Sequence, residues 1–270
     1  MSLSVLNLTE VIYTDAASLG TALFRQDTTI KLADAPGNYV AVTSGMVASG
    51  KVLTVDGSAV TATNAITMNV SSLASSTHVF IGGAGNDSFR GGYGFDTIYG
   101  GGGDDEIRGD DGNDVLNGEA GNDTIFGGAG NDTINGGDGN DRIDGGNGAD
   151  ILTGGAGADI FRYFEPMEGG DTITDFSSED RIAISELDFP GYGTVIERSG
   201  AGAYTDSVLP DAQGALLLYT NTDTGIMQLI ADYNGNGGGY SYIVVTFAEG
   251  TMATVGQILF HYYTGDGWGS

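Results

Sequence analysis

Cysteine is absent from this 270-residue chain, and histidine occurs only as His78 and His261. Disulfide staples and thiolate metal sites are therefore excluded, and a centre built on imidazole has almost nothing to draw on. Bases are scarce too. Nine Lys and Arg stand against 36 Asp and Glu, a formal net charge of −27. That balance disfavours nucleic acid, which needs basic patches for its phosphates. No apolar run approaches a transmembrane segment, and no membrane-active stretch of the kind pore formers need is present. The first basic residue is Arg25, so no charged-then-apolar leader is expected. His-Glu-x-x-His and Gly-x-Ser-x-Gly are both missing. His78 and His261 read as packed or surface residues rather than bases, and no enzyme activity is expected.

What the chain has in excess is glycine, 48 residues of it, and much of it is periodic. Nine consecutive nonapeptides run from Gly82 to Arg162 in the pattern Gly-Gly-x-Gly-x-Asp-x-apolar-x. The sixth place is Asp87, Asp96, Asp105, Asp114, Asp123, Asp132, Asp141, Asp150 and Asp159. The eighth is Phe89, Ile98, Ile107, Leu116, Ile125, Ile134, Ile143, Leu152 and Phe161. First and fourth places are Gly throughout; the second is Asp110 and Glu119 in two repeats. A fixed short period marks a solenoid. Glycine supplies the positive φ of a tight turn, and the β-branched and aromatic residues after each Asp suit a brief strand. Alternation along that strand turns the eighth place inward and the seventh and ninth outward. Ser88, Thr97, Glu106, Arg90, Asn117 and Asp144 fit a solvated face, whereas Ile151, Ile160 and Phe126 point to contact with a flanking segment.

The array resembles the RTX, or hemolysin-type calcium-binding, repeat. That resemblance implies an all-β parallel β-roll in which two nonapeptides complete a coil and turns two repeats apart stack. Each ion would lie between stacked turns, held by the nine Asp carboxylates and by turn carbonyls. Those carbonyls belong to Gly83, Gly85, Gly92, Gly94, Gly101, Gly103, Gly112, Gly121, Gly128, Gly130, Gly137, Gly139, Gly146, Gly148, Gly155 and Gly157. Nine repeats paired two apart make seven pairs, so about seven calcium ions are expected. Hard oxygen donors in a flexible cage favour calcium over magnesium.

Within residues 82–162, 16 acids face 4 Arg. Without a cation such a Gly-rich, self-repelling segment has the composition of disorder. Binding free energy is then folding free energy. Extracellular calcium modules bind at about 10⁻⁴–10⁻³ M, which points outside the cell. The family typically leaves Gram-negative bacteria unfolded, through a type I exporter that reads a C-terminal signal. The secretion apparatus is thus an expected partner, beside an unidentified extracellular ligand or surface.

Three regions are expected. Residues 1–80 read as a β-rich N-terminal cap, with a short capped helix at Thr14–Leu19 and strands at Leu53–Val55, Ile66–Met68 and Val79–Ile81 entering the solenoid as irregular coils. Residues 81–165 are the roll. Residues 166–270 form a C-terminal antiparallel β cap, with hairpin strands over 215–230 and 240–248 and the secretion signal. Gly169–Phe176 and Glu179–Leu187 resemble the C-terminal segment of the serralysin metalloproteases. That resemblance implies that Asp171, Asp175 or Asp180 completes a last calcium site; turn capping by Asp175 and Asp180 is the competing reading. Asp232–Gly237 resembles the front of an EF-hand loop but has Ile243 at its twelfth place, so a Gly-rich turn is expected. The leading functional reading is a calcium-folded extracellular binding or structural module. The alternative is the calcium-folding and secretion module of a larger secreted hydrolase.

Overall fold

The computed structural model describes residues 26–34, 36–42, 47–70, 76–164, 170–185, 215–224, 226–232, 241–249, 251, 253–254 and 257–261, together with the strands at 5–6, 10–13, 23–24 and 194–200. The helix expected at Thr14, the EF-hand-like loop after Asp232 and residues 262–270 lie outside the described residues. Twenty-four strands and no α-helix occur among the described residues. None of them forms a helix long and apolar enough to cross a membrane.

Each nonapeptide contributes one strand, and successive strands alternate between two parallel sheets. The first sheet stacks β2 (Glu10–Tyr13), β4 (Thr28–Leu32), β6 (Val52–Asp56), β8 (Thr77–Ile81), β10 (Thr97–Gly102), β12 (Val115–Ala120), β14 (Thr133–Asp138), β16 (Ile151–Ala156) and β18 (Asp171–Ile173). The second stacks β5 (Asn38–Val42), β7 (Ile66–Val70), β9 (Ser88–Tyr93), β11 (Glu106–Asp111), β13 (Thr124–Ala129), β15 (Arg142–Asn147), β17 (Ile160–Tyr163), β19 (Arg181–Ser185) and β24 (Ile258–His261). A separate pair, β1 (Val5–Leu6) with β3 (Leu23–Phe24), is also parallel. The result is a parallel β-solenoid. Its registers shift by one coil of 18 residues, as in Ile98 opposite Leu116 and Ile107 opposite Ile125.

The core follows from the alternation. All nine eighth-place residues are at most 1 % exposed. Inside the array this core is thin, with one apolar side chain per nonapeptide. Before the array it thickens: β6 buries Leu53 and Val55, and β7 buries Ile66, Met68 and Val70. The three expected strands are β6, β7 and β8, but β8 takes the other phase. Phe80 points inward, and Val79 and Ile81 face outward. One step of phase exchanges the two faces of a strand. Asp144 keeps the outward phase, in register with Phe126, but is buried rather than solvated. Ile151 is 49 % exposed, so no flanking segment among the described residues covers it.

The far end is closed by a mixed sheet rather than a purely antiparallel one. β23 (Ser241–Phe247) adds parallel to β18, and β22 (Met227–Asp232) and β21 (Ala215–Asn221) follow antiparallel as the expected hairpin. β20 (Thr194–Gly200) then pairs parallel with β21. Phe176 packs between Phe161 and Phe247, with ring centroids 6.0 and 5.0 Å away, and so plugs the open core. Gln257 Nε2 donates to the Ser177 and Asp180 carbonyls at 2.7 and 3.2 Å, tying the β24 segment to the last turn.

Candidate metal centre

The site begins with the turns. Strand pairing skips the first-place glycines, as at Gly100 and Gly118, so the chain bends there. The second place is left-handed, with Gly128 at φ +114°. At the fourth place a Cβ on Gly130 would strike the Gly112 carbonyl one coil earlier. Only glycine lets stacked backbones approach this closely. Asp110 and Glu119 hold the same left-handed second place at φ 70° and 73°. Asp110 gains a hydrogen bond there, accepted from Arg90 Nε at 2.6 Å. For Glu119 no such bond occurs among the described residues. Glu119→Gly is expected to stabilise the folded protein by about 0.5–1 kcal/mol, the strain removed less the added chain entropy. Urea unfolding in saturating calcium reads this, and a loss of stability would contradict it.

Each turn folds its Asp under the coil. Every repeat Asp is at most 4 % exposed. Its Oδ1 accepts the backbone N–H of the equivalent residue one coil earlier. Asp105 accepts from Asp87 at 2.7 Å, Asp114 from Asp96 at 2.7 Å and Asp123 from Asp105 at 2.8 Å. Asp132, Asp141, Asp150 and Asp159 accept in turn at 2.7–2.9 Å. The two rows start on non-repeat residues, with Ile66 N–H bonded to Asp87 and His78 N–H to Asp96. Both rows also continue past the array. Asp171 accepts from Asp150 at 2.9 Å and Asp180 from Asp159 at 3.0 Å, each across 21 residues instead of 18.

The second carboxylate oxygen decides the chemistry. Oδ2 is buried and lacks a hydrogen bond in Asp96, Asp105, Asp114, Asp123, Asp132, Asp141, Asp150, Asp159 and Asp171. The space above the Gly100 Cα is bordered by both Asp105 Oδ2 and the Gly118 carbonyl oxygen. The same pairing recurs at Gly109, Gly118, Gly127 and Gly136. A buried acceptor with no donor is costly, and two oxygens side by side repel. A proton or a hard cation relieves both. Burial accordingly pushes the carboxyls up, to about 8 at Asp105, about 7 at Asp114 and Asp132, and about 6 at Asp123, Asp141 and Asp159. Asp87, Asp96, Asp150 and Asp171 shift the same way for the same reason. Accepted backbone hydrogen bonds oppose the shift only in part.

The donor set suits a hard, oxygen-loving ion. Among the described residues no three carboxylate, imidazole or thiol groups converge, so any cation would complete its shell with carbonyl oxygens or water. Asp171 stands as a repeat Asp does. Asp180 Oδ2 accepts Ser177 N–H at 2.6 Å, so both its oxygens are engaged. Asp175 caps the turn at Gly154 and Gly155, at 2.9 and 2.8 Å. Asp87 Oδ2 accepts Gly83 N–H at 2.8 Å. The second- and fourth-place glycines shape the turns and stack on one another, whereas the unpaired carboxylate oxygens lie against first-place glycines, which the sequence marked as invariant but not as part of the site.

Two further features were missed. Fifth-place side chains form a second ladder of opposite sense: Asn122 N–H donates to Asp104 Oδ1 at 2.8 Å, and Asn140 N–H to Asn122 Oδ1 at 2.9 Å. Asn131 accepts from Ala149 N–H at 3.0 Å in the other row. These bonds need no ion. The other feature is His78, fully buried, whose Nδ1 lies 2.9 Å from Asp96 Oδ1 and whose Nε2 lies 3.1 Å from Ser76 Oγ. The connectivity is that of a Ser-His-Asp relay. Exposures of 5 %, 0 % and 1 % at Ser76, His78 and Asp96 leave no approach for a substrate. His78 instead stands where the next Asp of the row would be, one coil before Asp96.

The outer face of the second sheet carries Arg90, Arg108, Arg142, Arg162 and Arg181, and a groove of about 730 Å³ runs along it. Phe126 sits on this face beneath the Arg108 guanidinium, 4.4 Å from the ring centroid, which accounts for an aromatic residue at an outward place.

A family model described as RTX calcium-binding nonapeptide repeat (4 copies) matches residues 81–116, 108–142 and 126–161. Two solved structures are similar in part, both subunits of the mannuronan C5-epimerase of Azotobacter vinelandii. The R2 subunit shares 22% identity over 66% of this chain and 93% of that one, with a TM-score of 0.33. The R3 subunit shares 25% over 68% and 83%, with a TM-score of 0.28. No curated protein matches the chain.

Proposed function

Because the nonapeptides at 81–161 are RTX calcium-binding repeats, we propose that the chain is a secreted protein whose roll folds when calcium fills its turns, and that it acts outside the cell as a binding or structural module without catalysis of its own. One observation carries this reading: a row of buried carboxylate oxygens, each lacking a hydrogen bond, with carbonyl oxygens beside several of them. Calcium supplies the positive charge that those oxygens lack. The repeat Asp residues from Asp96 onward and Asp171 hold it, with the carbonyls of the stacked turns, whereas Asp87 has both oxygens engaged by backbone N–H groups. Asp180 serves the last turn as a cap. Export through a type I apparatus fits a chain that stays unfolded at cytosolic calcium and orders outside.

The test is ion counting on stripped protein. Nine repeats less two give seven stacked pairs and Asp171 on Asp150 adds one, so calorimetry and elemental analysis are expected to return about seven or eight calcium ions. Magnesium, which keeps its waters and demands octahedral geometry, is expected to fill few of them. Asp123→Asn removes a carboxylate that borders two coils and is expected to delete at least one ion and weaken its neighbours. Fewer than about three ions, or equal filling by magnesium, would overturn the assignment.

A further inference from the structure

Five of the chain's seven Arg sit on the outer face of the second sheet, whereas two outward columns of the first sheet carry no charge over its central rungs, Glu119 and Asp138 lying farther along their strands, past the Gly118 and Gly136 bends. From β8 to β18 one outward column reads Val79, Thr97, Val115, Thr133, Ile151 and Thr172, in direct register from strand to strand. The column beside it starts at Ile81 on β8 and then reads Tyr99, Asn117, Asn135 and Thr153. In a chain with 36 acids and a net charge of −27, a strip with none selects against ionic ligands. The two columns also differ. One offers methyl and aliphatic groups, with Val115 and Ile151 40 % and 49 % exposed. The other offers amides and hydroxyls, and the side chains of Asn117 and Asn135 make no hydrogen bond among the described residues.

We infer that this strip binds an uncharged, extended polysaccharide chain lying along the solenoid axis. A sugar ring has an apolar C–H face and a hydroxyl rim, which these two columns match side by side. An Asn amide both donates and accepts, as a neutral hydroxyl-rich ligand requires. Strand spacing of about 4.8 Å is close to the ring-to-ring repeat of an extended hexose chain, so successive sugars meet successive rungs. Size disfavours a second copy of this chain. Six rungs and two columns cover on the order of 400 Å², about half of what each partner buries in a stable protein complex. The strip is ordered only if the roll is, so the inference rests on the calcium reading above.

The experiment uses the full chain in 5 mM calcium (about five times the weakest affinity expected of such modules), with native circular dichroism confirmed first. A panel of uncharged hexasaccharides from β-glucan, xylan, mannan and chitin is titrated by calorimetry, with polygalacturonate as the acidic comparison. At least one neutral hexasaccharide is expected to bind, more tightly than its trisaccharide. The double variant Asn117→Ala/Asn135→Ala is expected to lose about tenfold or more in affinity, and Arg142→Ala on the opposite face to lose nothing. Native dichroism without binding to any of the panel would overturn the inference and leave the calcium reading standing. So would binding to polygalacturonate alone, binding that survives the double variant, or a calcium-dependent dimer broken by Ile151→Glu. Failure to fold in calcium would instead strike the reading beneath it.

Discussion

Stripping calcium from the protein is expected to unfold the nonapeptide array, with loss of its β signal in circular dichroism and about a doubling of that segment's radius of gyration. The cause is in the composition of each coil. Eighteen residues bring two inward apolar side chains and several glycines, whose ordering costs more entropy than that of any other residue. Against that thin core stand 16 acids and 4 Arg over residues 82–162. Among the described residues, eight buried Oδ2 atoms of the array, and that of Asp171 beyond it, have no hydrogen bond to offset their lost hydration. The Asn ladder and the strand ladders remain available without metal, but each hydrogen bond contributes only about 1 kcal/mol net.

The loss should stop short of the whole chain. The strands at 28–70 bury two or three apolar side chains each, and residues 28–81 contain no orphaned carboxylate among those described. A residual β signal from that part is expected in chelator, and full recovery on adding calcium, with a midpoint at about 10⁻⁴–10⁻³ M. Dichroism and size that stay native in protein shown to be metal-free would refute the calcium-folding account.

The repeat made much of this visible before any coordinates. A residue's place in the nonapeptide tells whether it turns, binds or packs, and Ile107 or Leu116 falls in the core for that reason alone. What escaped notice lies outside the motif or between its copies. Val79, Phe80 and Ile81 are all apolar, so pattern alone supports either phase of β8. His78 ends a row of Asp residues, but a single residue 18 places before Asp96 carries no repeat signal. The Asn row bonds to backbone one coil away, which the fifth place alone does not announce. Asp171 and Asp180 were singled out through a resemblance. Their common 21-residue offset shows why they fit: three inserted residues lengthen the last coil while each row keeps its line. The addition of β23 beside β18 joins segments about 70 residues apart and leaves no local trace.

Acid is expected to act in opposite directions on the stripped and the loaded protein. In the stripped roll, burial lifts the Asp carboxyls from 3.8 to between about 6 and about 8. The folded state then holds more protons than the unfolded chain between those values, so stability falls as pH rises. This contribution is fully present below 3.8 and is lost as pH climbs through 6 to 8. Metal-free protein should therefore be most roll-like in mild acid and least so at pH 8. A bound calcium reverses the sign, because it favours the ionised carboxylate and holds its value below the unfolded one. Stability of the loaded roll is present above about 3.9 and lost as pH falls below it, sooner where calcium is scarce and protons compete. Thermal melts between pH 5 and 8, on desalted protein and in excess calcium, should thus diverge upward in pH, until at pH 8 the desalted roll has no folded signal left to melt while the loaded roll keeps its transition. The lower limit keeps clear of the isoelectric point near 4.1, where the chain loses the net charge that keeps it dispersed. Melting curves that shift the same way with pH in both samples would show that the buried oxygens are not where calcium acts.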